Sequence, residues 1–191
     1  YKNKCKPRLI FASSATVYGL TDIRPVHEDT IPRPISIYDL HKYFAEHSLS
    51  FASNSEGFEA VAMRFSNVYG PSEQNSGSSD RGILNMFINK LLNKQEISLY
   101  GHGNYIRDYI FIEDVIDAFF IAFKEISATN GKHYEIGTSV PVKIIDAFKL
   151  IISLVNDLGI YPKLVIKENM KFDSLMDQRS FVANDKFCKE T

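Results

Sequence analysis

Arg8-Leu9-Ile10-Phe11-Ala12-Ser13-Ser14 is a short apolar run that ends in small polar residues. Such a run reads as a buried strand of a parallel sheet whose C-terminal end opens onto a site. Residues 19–36, which hold Gly19, Pro25, Pro32 and Pro34, read as a long loop. A helix from Tyr38 to Ser53 follows and ends before Gly57. Ala60-Val61-Ala62-Met63-Arg64-Phe65 is the next buried strand, broken by Gly70-Pro71.

The pattern continues in the same alternation. Residues 72–82 are small and polar and read as a surface loop. A helix is expected from Leu84 to Asn93, a short strand over Glu96–Tyr100, and a turn at Gly101-His102-Gly103-Asn104. Tyr109–Ile112 reads as extended and Glu113–Ile126 as helical, with Val115, Ala118, Phe119 and Ala122 at helical spacing. His133–Ile136 is a further strand. A last helix is expected to begin at Ser139-Val140-Pro141, with Pro near its first turn and a stripe of Ile145, Phe148, Ile152 and Val155, closed by Gly159. Leu164-Val165-Ile166 reads as a late strand and the tail as polar. Strands alternating with helices make an α/β protein with a mainly parallel sheet.

With 191 residues the chain can bury one good-sized core, or one core plus a small satellite. A net charge of −1 gives no basic field for nucleic acid. The longest apolar stretch, Ala118–Phe123, is too short to cross a bilayer, and no apolar segment follows the basic start as in a secretory signal. Cys5 and Cys188 stand alone at opposite ends, so neither a disulfide framework nor a zinc site is indicated, and a reducing cytoplasm is the expected compartment. His27, His41, His47, His102 and His133 have no metal-ligand spacing.

Tyr38 and Lys42 lie four residues apart on the expected helix and share a face. A phenol, with a pKa of about 10, is a poor base at neutral pH; a cation held close favours the phenolate. Alone, a Tyr-x-x-x-Lys is more often a packed tyrosine beside a solvated lysine. Context changes that reading, because Ser13 and Ser14 end the strand that precedes the helix. Asp108 is expected to orient its neighbours, while Glu113 and Asp114 begin a helix, where negative charge is favourable.

Four segments taken in order carry a resemblance: Ser13-Ser14-Ala15-Thr16-Val17-Tyr18-Gly19, Tyr38-Asp39-Leu40-His41-Lys42, Arg64-Phe65-Ser66-Asn67-Val68-Tyr69-Gly70-Pro71, and Tyr100-Gly101-His102-Gly103 leading to Arg107-Asp108-Tyr109-Ile110-Phe111-Ile112-Glu113-Asp114-Val115. Together they resemble the extended short-chain dehydrogenase/reductase family, in its nucleotide-sugar epimerase/dehydratase branch, over about residues 8–155. The resemblance implies a partial Rossmann-like parallel sheet plus a small α/β substrate-binding domain. On that reading residues 1–70 form the later part of the Rossmann-like domain, and residues 71–191 are mainly substrate-binding, with elements returning to the sheet around 105–136.

The same resemblance implies roles for single residues. Tyr38 is the acid/base, Lys42 holds the nicotinamide ribose hydroxyls and favours the phenolate, and Ser14 hydrogen-bonds the reacting oxygen. Ser13 and Phe65 fall on the NAD side of the site. Asn67 and Arg107 fall where the family binds the diphosphate, a task suited to a forked guanidinium. Leu84, Leu99 and Tyr100 fall at the substrate, the last two at the nucleotide base and partly through backbone groups. The implied partners are a nucleotide sugar and, by self-association, a second copy of the chain.

Dehydratases of this type carry an Asp-Glu pair directly after the catalytic Ser/Thr, where this chain has Ala15-Thr16, so the resemblance implies an epimerase. It would oxidise a ring hydroxyl to a ketone and return the hydride to the other face. The alternatives are a non-catalytic nucleotide-sugar-binding module and an NAD(P)H-dependent keto-sugar-nucleotide reductase. The sequence holds no G-x-x-G-x-x-G or G-x-G-x-x-G loop for the pyrophosphate. The chain therefore reads as the C-terminal portion of a longer protein, about four βα units of roughly 30 residues short of the family pattern. Other departures are His41 before Lys42, Asn85 where many members have proline, and Ser174-Leu175-Met176-Asp177 in place of a run that often supplies a second phosphate-binding arginine, for which Arg179 is the nearest substitute.

Overall fold

The structure, a computed structural model, describes residues 7–71, 82–93, 95–100, 103–159, 161, 164–167 and 178–191. The expected loop at 72–82 lies mostly, and the turn at 101–104 by half, outside the described residues, and the Ser174–Asp177 run, Cys5 and His102 lie wholly outside them. No helix among the described residues is long and apolar enough to cross a membrane.

The opening run forms β1 (Arg8–Ser14), and the second run forms β2 (Glu59–Phe65). They pair in parallel with Ser13 opposite Arg64 and Ser14 opposite Phe65, so the polar ends of both strands finish at one edge. A third parallel strand, residues His133–Ile136, extends the sheet beyond β2. Within this sheet β1 has a strand on one side only. A 3-10 turn at Ala15–Tyr18, absent from the sequence reading, carries the chain out of β1. It ends at Gly19, with φ +61°, where a Cβ would fall 2.0 Å from the Arg33 carbonyl oxygen. Only glycine lets these two loop segments approach so closely.

Helix α1 spans Ile37–Glu56. Ser36 caps it, its hydroxyl accepting from the Asp39 N–H, and Gly57 stops it in the left-handed conformation at φ +67°. Past β2 the chain forms β3 (Asn67–Tyr69), α2 (Ile83–Leu92), β4 (Ile97–Tyr100), β5 (Ile106–Arg107) and β6 (Tyr109–Phe111). Strand β3 pairs in parallel with β6. Helix α3 (Ile112–Lys124) buries Val115, Ala118 and Ala122 against the sheet, as their spacing predicts, and a short α4 (Ile126–Thr129) leads into β7, the His133–Ile136 strand. Glu113 and Asp114 do lie in the first turn of α3.

Two expectations are corrected. The last long helix, α5, begins at Ile144 and not at Ser139; it runs to Asp157. The reason lies in Asp108, which is fully buried and accepts from the N–H groups of Thr138 (2.8 Å) and Ser139 (3.0 Å). That grip holds Ser139 at φ +61°, and Val142–Lys143 then pairs antiparallel with β5 as β8 before the helix starts. The expected role of Asp108 in orienting its neighbours is therefore met. The second correction concerns the tail. Phe181, Val182 and Ala183 are buried, and Ala183 bridges in parallel to Val26. Strand β9 (Leu164–Lys167) pairs in parallel with β4, and the chain ends in α6 (Lys186–Glu190). Leu84, Phe87, Leu99 and Phe148 anchor a second apolar cluster among α2, β4 and α5, where the Phe87 and Phe148 rings stack.

A buried polar network closes the sheet beneath the strand ends. Arg64, 2% exposed, donates Nε and Nη2 to the Glu46 carboxylate (3.0 and 2.6 Å) and Nη1 to the Tyr18 hydroxyl (2.6 Å). Tyr18 donates to Glu135, and Ser13 donates to Glu46. Burial, and a hydrogen bond shared with the Glu28 carboxyl, push Glu135 up to about 7. Burial opposes ionisation of Glu28 as well, but the hydrogen bond from Glu135 and the nearby Lys186 hold Glu28 below the usual carboxylate range. The native chain thus keeps a proton on Glu135 that the unfolded chain releases near pH 4.3.

The stability this proton supplies is complete below that value and is lost as pH rises through about 7. Burial lowers the pKa of His133, which acts in the opposite sense below pH 6.5, so the comparison needs a matched variant. Relative to Glu135→Gln, which stays neutral throughout, the wild-type melting temperature is expected to fall by about 4–8 °C between pH 5 and pH 8, on the order of 2 kcal/mol. Parallel pH curves for the two proteins would refute the shared proton.

Candidate active site

The C-terminal ends of β1 and β2 and the first two turns of α1 enclose a cleft of about 510 Å³. Its walls include Ser13, Ser14, Tyr38, Lys42, Phe65, Asn67 and Leu84, seven of the residues expected from sequence. A second pocket of about 160 Å³ adjoins it and shares Ser14, Thr16, Phe65, Ser66 and Asn67 as the common wall. Its far side carries Arg107 and Arg179. The residues expected to do chemistry and those expected to hold phosphate therefore line two adjoining pockets that share a wall.

Each position follows from local structure. Lys42 donates Nζ to the Ala12 carbonyl (2.8 Å), which ties α1 to β1. That contact leaves Nζ 5.7 Å from the centre of the Tyr38 ring and 5.1 Å from that of Phe11. Tyr38 itself is 56% exposed and opens into the cleft. Ser14 caps the 3-10 turn: its Oγ accepts from the Thr16 N–H (3.3 Å) and the Thr16 hydroxyl (3.0 Å). With both of those bonds accepted, the Ser14 hydrogen is left to donate toward the cleft.

Ser13 reaches the cleft wall, but its hydroxyl is given to Glu46, so its side chain serves the buried network. Phe65 is buried and stacks on Phe119 at 5.4 Å, presenting an apolar surface to both pockets. Asn67 donates its N–H (3.0 Å) and its side-chain amide (3.4 Å) to the Asp108 carbonyl. Arg107 donates Nη1 to its neighbour Ile106 (3.2 Å) and to the carbonyl of Arg179. The Leu99 side chain is buried in the second apolar cluster and lines neither pocket. The Tyr100 side chain lies outside the described residues.

Four further residues line these pockets, of which the sequence singles out only Arg179, as the nearest substitute for a second phosphate-binding arginine. Thr16 and Ser66 belong to both pockets, and Tyr109 lies beside Leu84 in the larger one. Burial pushes the Tyr109 hydroxyl up to about 12, with the Arg107 cation opposing the shift. Arg179 is the fourth, brought in by the tail that pairs with β5: Phe181 N–H donates to the Ile106 carbonyl and Ile106 N–H to the Ser180 hydroxyl. The resemblance offers Arg179 only as a substitute phosphate-binding arginine, and the hydrophilic run Asp177-Gln178-Arg179 gives no sign of the contacts that seat it. No group of three or more His, Cys, Asp or Glu among the described residues is arranged to hold a metal.

The sequence and the fold are similar to those of known proteins. The profile of the NAD dependent epimerase/dehydratase family matches residues 1–137. The chain is 31% identical over 143 residues to the UDP-glucose 4-epimerase of Lactobacillus helveticus, covering 69% of this chain and 43% of that protein. It is 37% identical over 120 residues to the dTDP-4-dehydro-6-deoxyglucose reductase of Escherichia coli, covering 62% of this chain and 37% of that protein. Among solved structures, the UDP-glucose 4-epimerase of Thermotoga maritima with UDP-glucose superposes with a TM-score of 0.78 at 29% identity, over 92% of this chain and 53% of that one. The chain spans about half the length of the curated relatives it matches or less.

Proposed function

Since the chain belongs to the NAD dependent epimerase/dehydratase family, we propose that it carries the catalytic and substrate-binding part of an NAD-dependent epimerase of nucleotide sugars. The observation that carries this reading is the pair of adjoining pockets that share Ser14, Phe65 and Asn67, one holding Tyr38 and Lys42 and the other Arg107. Ala15 and Thr16 follow Ser14, so the two positions where the resemblance places a dehydratase's Asp-Glu pair carry no carboxylate.

The chain's residues fit the nicotinamide end of NAD: an exposed phenol, a lysine ammonium beside it, and an apolar face from Phe65 share one open cleft. When bound, NAD supplies the acceptor and donor of the hydride. Tyr38 takes the proton of the reacting ring hydroxyl and gives it back once the keto sugar has presented its other face. The Lys42 ammonium, fixed by Ala12, favours negative charge on the phenol oxygen and offers donors to a ribose. Ser14 donates to the reacting oxygen and holds it within reach of Tyr38. Arg107 and Asn67 sit at the pocket that would receive the diphosphate. No residue is consumed, and the cycle closes on itself.

Arg107→Ala is expected to weaken binding of UDP to this chain about 10–100-fold, the loss of one or two charge-assisted hydrogen bonds. Calorimetric titration measures it, and an unchanged affinity would remove the phosphate role. The E. coli relative favours a second reading, a reductase of a free keto sugar nucleotide. A reductase would consume one reduced cofactor per product, whereas an epimerase consumes none.

A further inference from the structure

The acid that follows Tyr38 does more than begin a helix. Asp39 is wholly buried, and its Oδ2 accepts from the Ile35 N–H (3.2 Å) and from Arg179 Nη2 (2.5 Å). Its own N–H donates to Ser36. The bonds to Ser36 and Ile35 form a local cap of the kind that any helix start can carry. The bond to Arg179 is different, because it crosses 140 positions of sequence to a residue that walls the smaller pocket.

We propose that Asp39 and Arg179 are positioning residues for the reaction. Their ion pair fixes the first turn of α1, and with it the Tyr38 hydroxyl, to the wall of the pocket that takes the diphosphate. The inference rests on the reading of Tyr38 as the acid/base.

Three observations carry it. The pair is screened from solvent, with side-chain exposures of 15% for Arg179 and 0% for Asp39, so it is not a weak surface contact. Arg179 is itself held from the pocket side, since Arg107 donates to its carbonyl and the residues after it pair with Ile106. Among the described residues Tyr38 has no such anchor of its own: it is exposed, and it stands on the backbone of α1, which the Lys42 contact with Ala12 ties to β1. A catalytic group displaced by about 1 Å can lose about a hundredfold in rate. The anchor therefore links where the diphosphate is gripped to where the proton is taken.

The test uses the NAD-loaded protein that contains this chain, with UDP-glucose as substrate, UDP affinity by calorimetry and the melting temperature as a control on folding. Asp39→Asn keeps the side chain's size and its bond from Ile35 but removes the charge. It is expected to lower kcat at least tenfold while leaving KM and UDP affinity within threefold. Arg179→Gln is expected to lower kcat similarly, Arg179→Lys to recover most of it, and the Asp39→Asn/Arg179→Gln double variant to be no slower than the slower single one, because the pair acts as a unit.

A folded Asp39→Asn protein with kcat within twofold of wild type overturns the proposal. So does a loss that appears equally in UDP affinity, which would make the pair part of the binding surface. Should Asp39→Asn fail to fold, the contrast between Arg179→Gln and Arg179→Lys decides, and equal kcat in those two counts against it. Tyr38→Phe separates the two levels: if that variant keeps its turnover, the function proposed above fails. If it loses turnover while Asp39→Asn does not, only the present inference fails.

Discussion

Tyr38→Phe is expected to lower kcat of the NAD-loaded protein about a thousandfold, the middle of the range for a positioned acid/base, with UDP affinity within a few-fold of wild type. The substitution removes one oxygen from a side chain that is 56% exposed and lines the open cleft, so it leaves no cavity and breaks no buried bond. No hydrogen bond of the Tyr38 hydroxyl within the described residues is lost. The melting temperature should therefore hold while turnover collapses, a combination that separates chemistry from folding. Steady-state kinetics with UDP-glucose, beside calorimetry with UDP, measures both halves. Turnover within a few-fold of wild type would show that some other group moves the proton.

The largest effect on stability is expected at Arg64. Its guanidinium is 2% exposed and bonds Glu46 on α1, Tyr18 at the end of the 3-10 turn and Glu135 on β7. Arg64→Met keeps much of the volume but strands the buried Glu46 carboxylate without the guanidinium that pairs it. Breaking one side of a buried pair usually destabilises by about 3–5 kcal/mol, roughly 8–15 °C for a chain of this size. Replacing both partners is expected to be milder, because Glu46→Gln together with Arg64→Met leaves no uncompensated charge. Urea unfolding of the two variants beside wild type measures the series. An Arg64→Met protein as stable as wild type would mean that the network is solvated and contributes little.

Much of the fold was legible because its deciding runs are locally consistent. Arg8–Ser14 and Ala60–Phe65 are apolar throughout and stop at small polar residues, and both became parallel strands that end at the site. Gly57 ended α1 and the Val115, Ala118 and Ala122 spacing gave the buried face of α3, because a left-handed cap and a helical stripe are properties of neighbouring residues. The start of α5 was not legible, since Asp108 holds Thr138 and Ser139 from 30 and 31 positions away and overrides the helix signal at Pro141.

The site divides in the same way. Ser14, Tyr38, Lys42 and Asn67 sit on strand ends and a helix turn that sequence spacing locates, and they line one cleft. The Leu99 side chain packs into the cluster of Leu84, Phe87 and Phe148, which leaves only its backbone groups for the role expected of it. Ser36 and Asp39 together spell a helix cap that could be read from their three-residue spacing. Their partner Arg179 could not, because it depends on the return of the tail along Val26 and Ile106. The buried Phe181-Val182-Ala183 run was the available hint that this tail is part of the fold.

The most direct test of the account is conversion of UDP-glucose by the NAD-loaded protein in deuterated water, followed by NMR of the product and absorbance of reduced cofactor. Oxidation and return at a single ring hydroxyl predicts an epimeric UDP-hexose with no deuterium on the inverted carbon and no net change in reduced cofactor. Deuterium on that carbon, a dehydrated product, or one reduced cofactor consumed per turnover would contradict it.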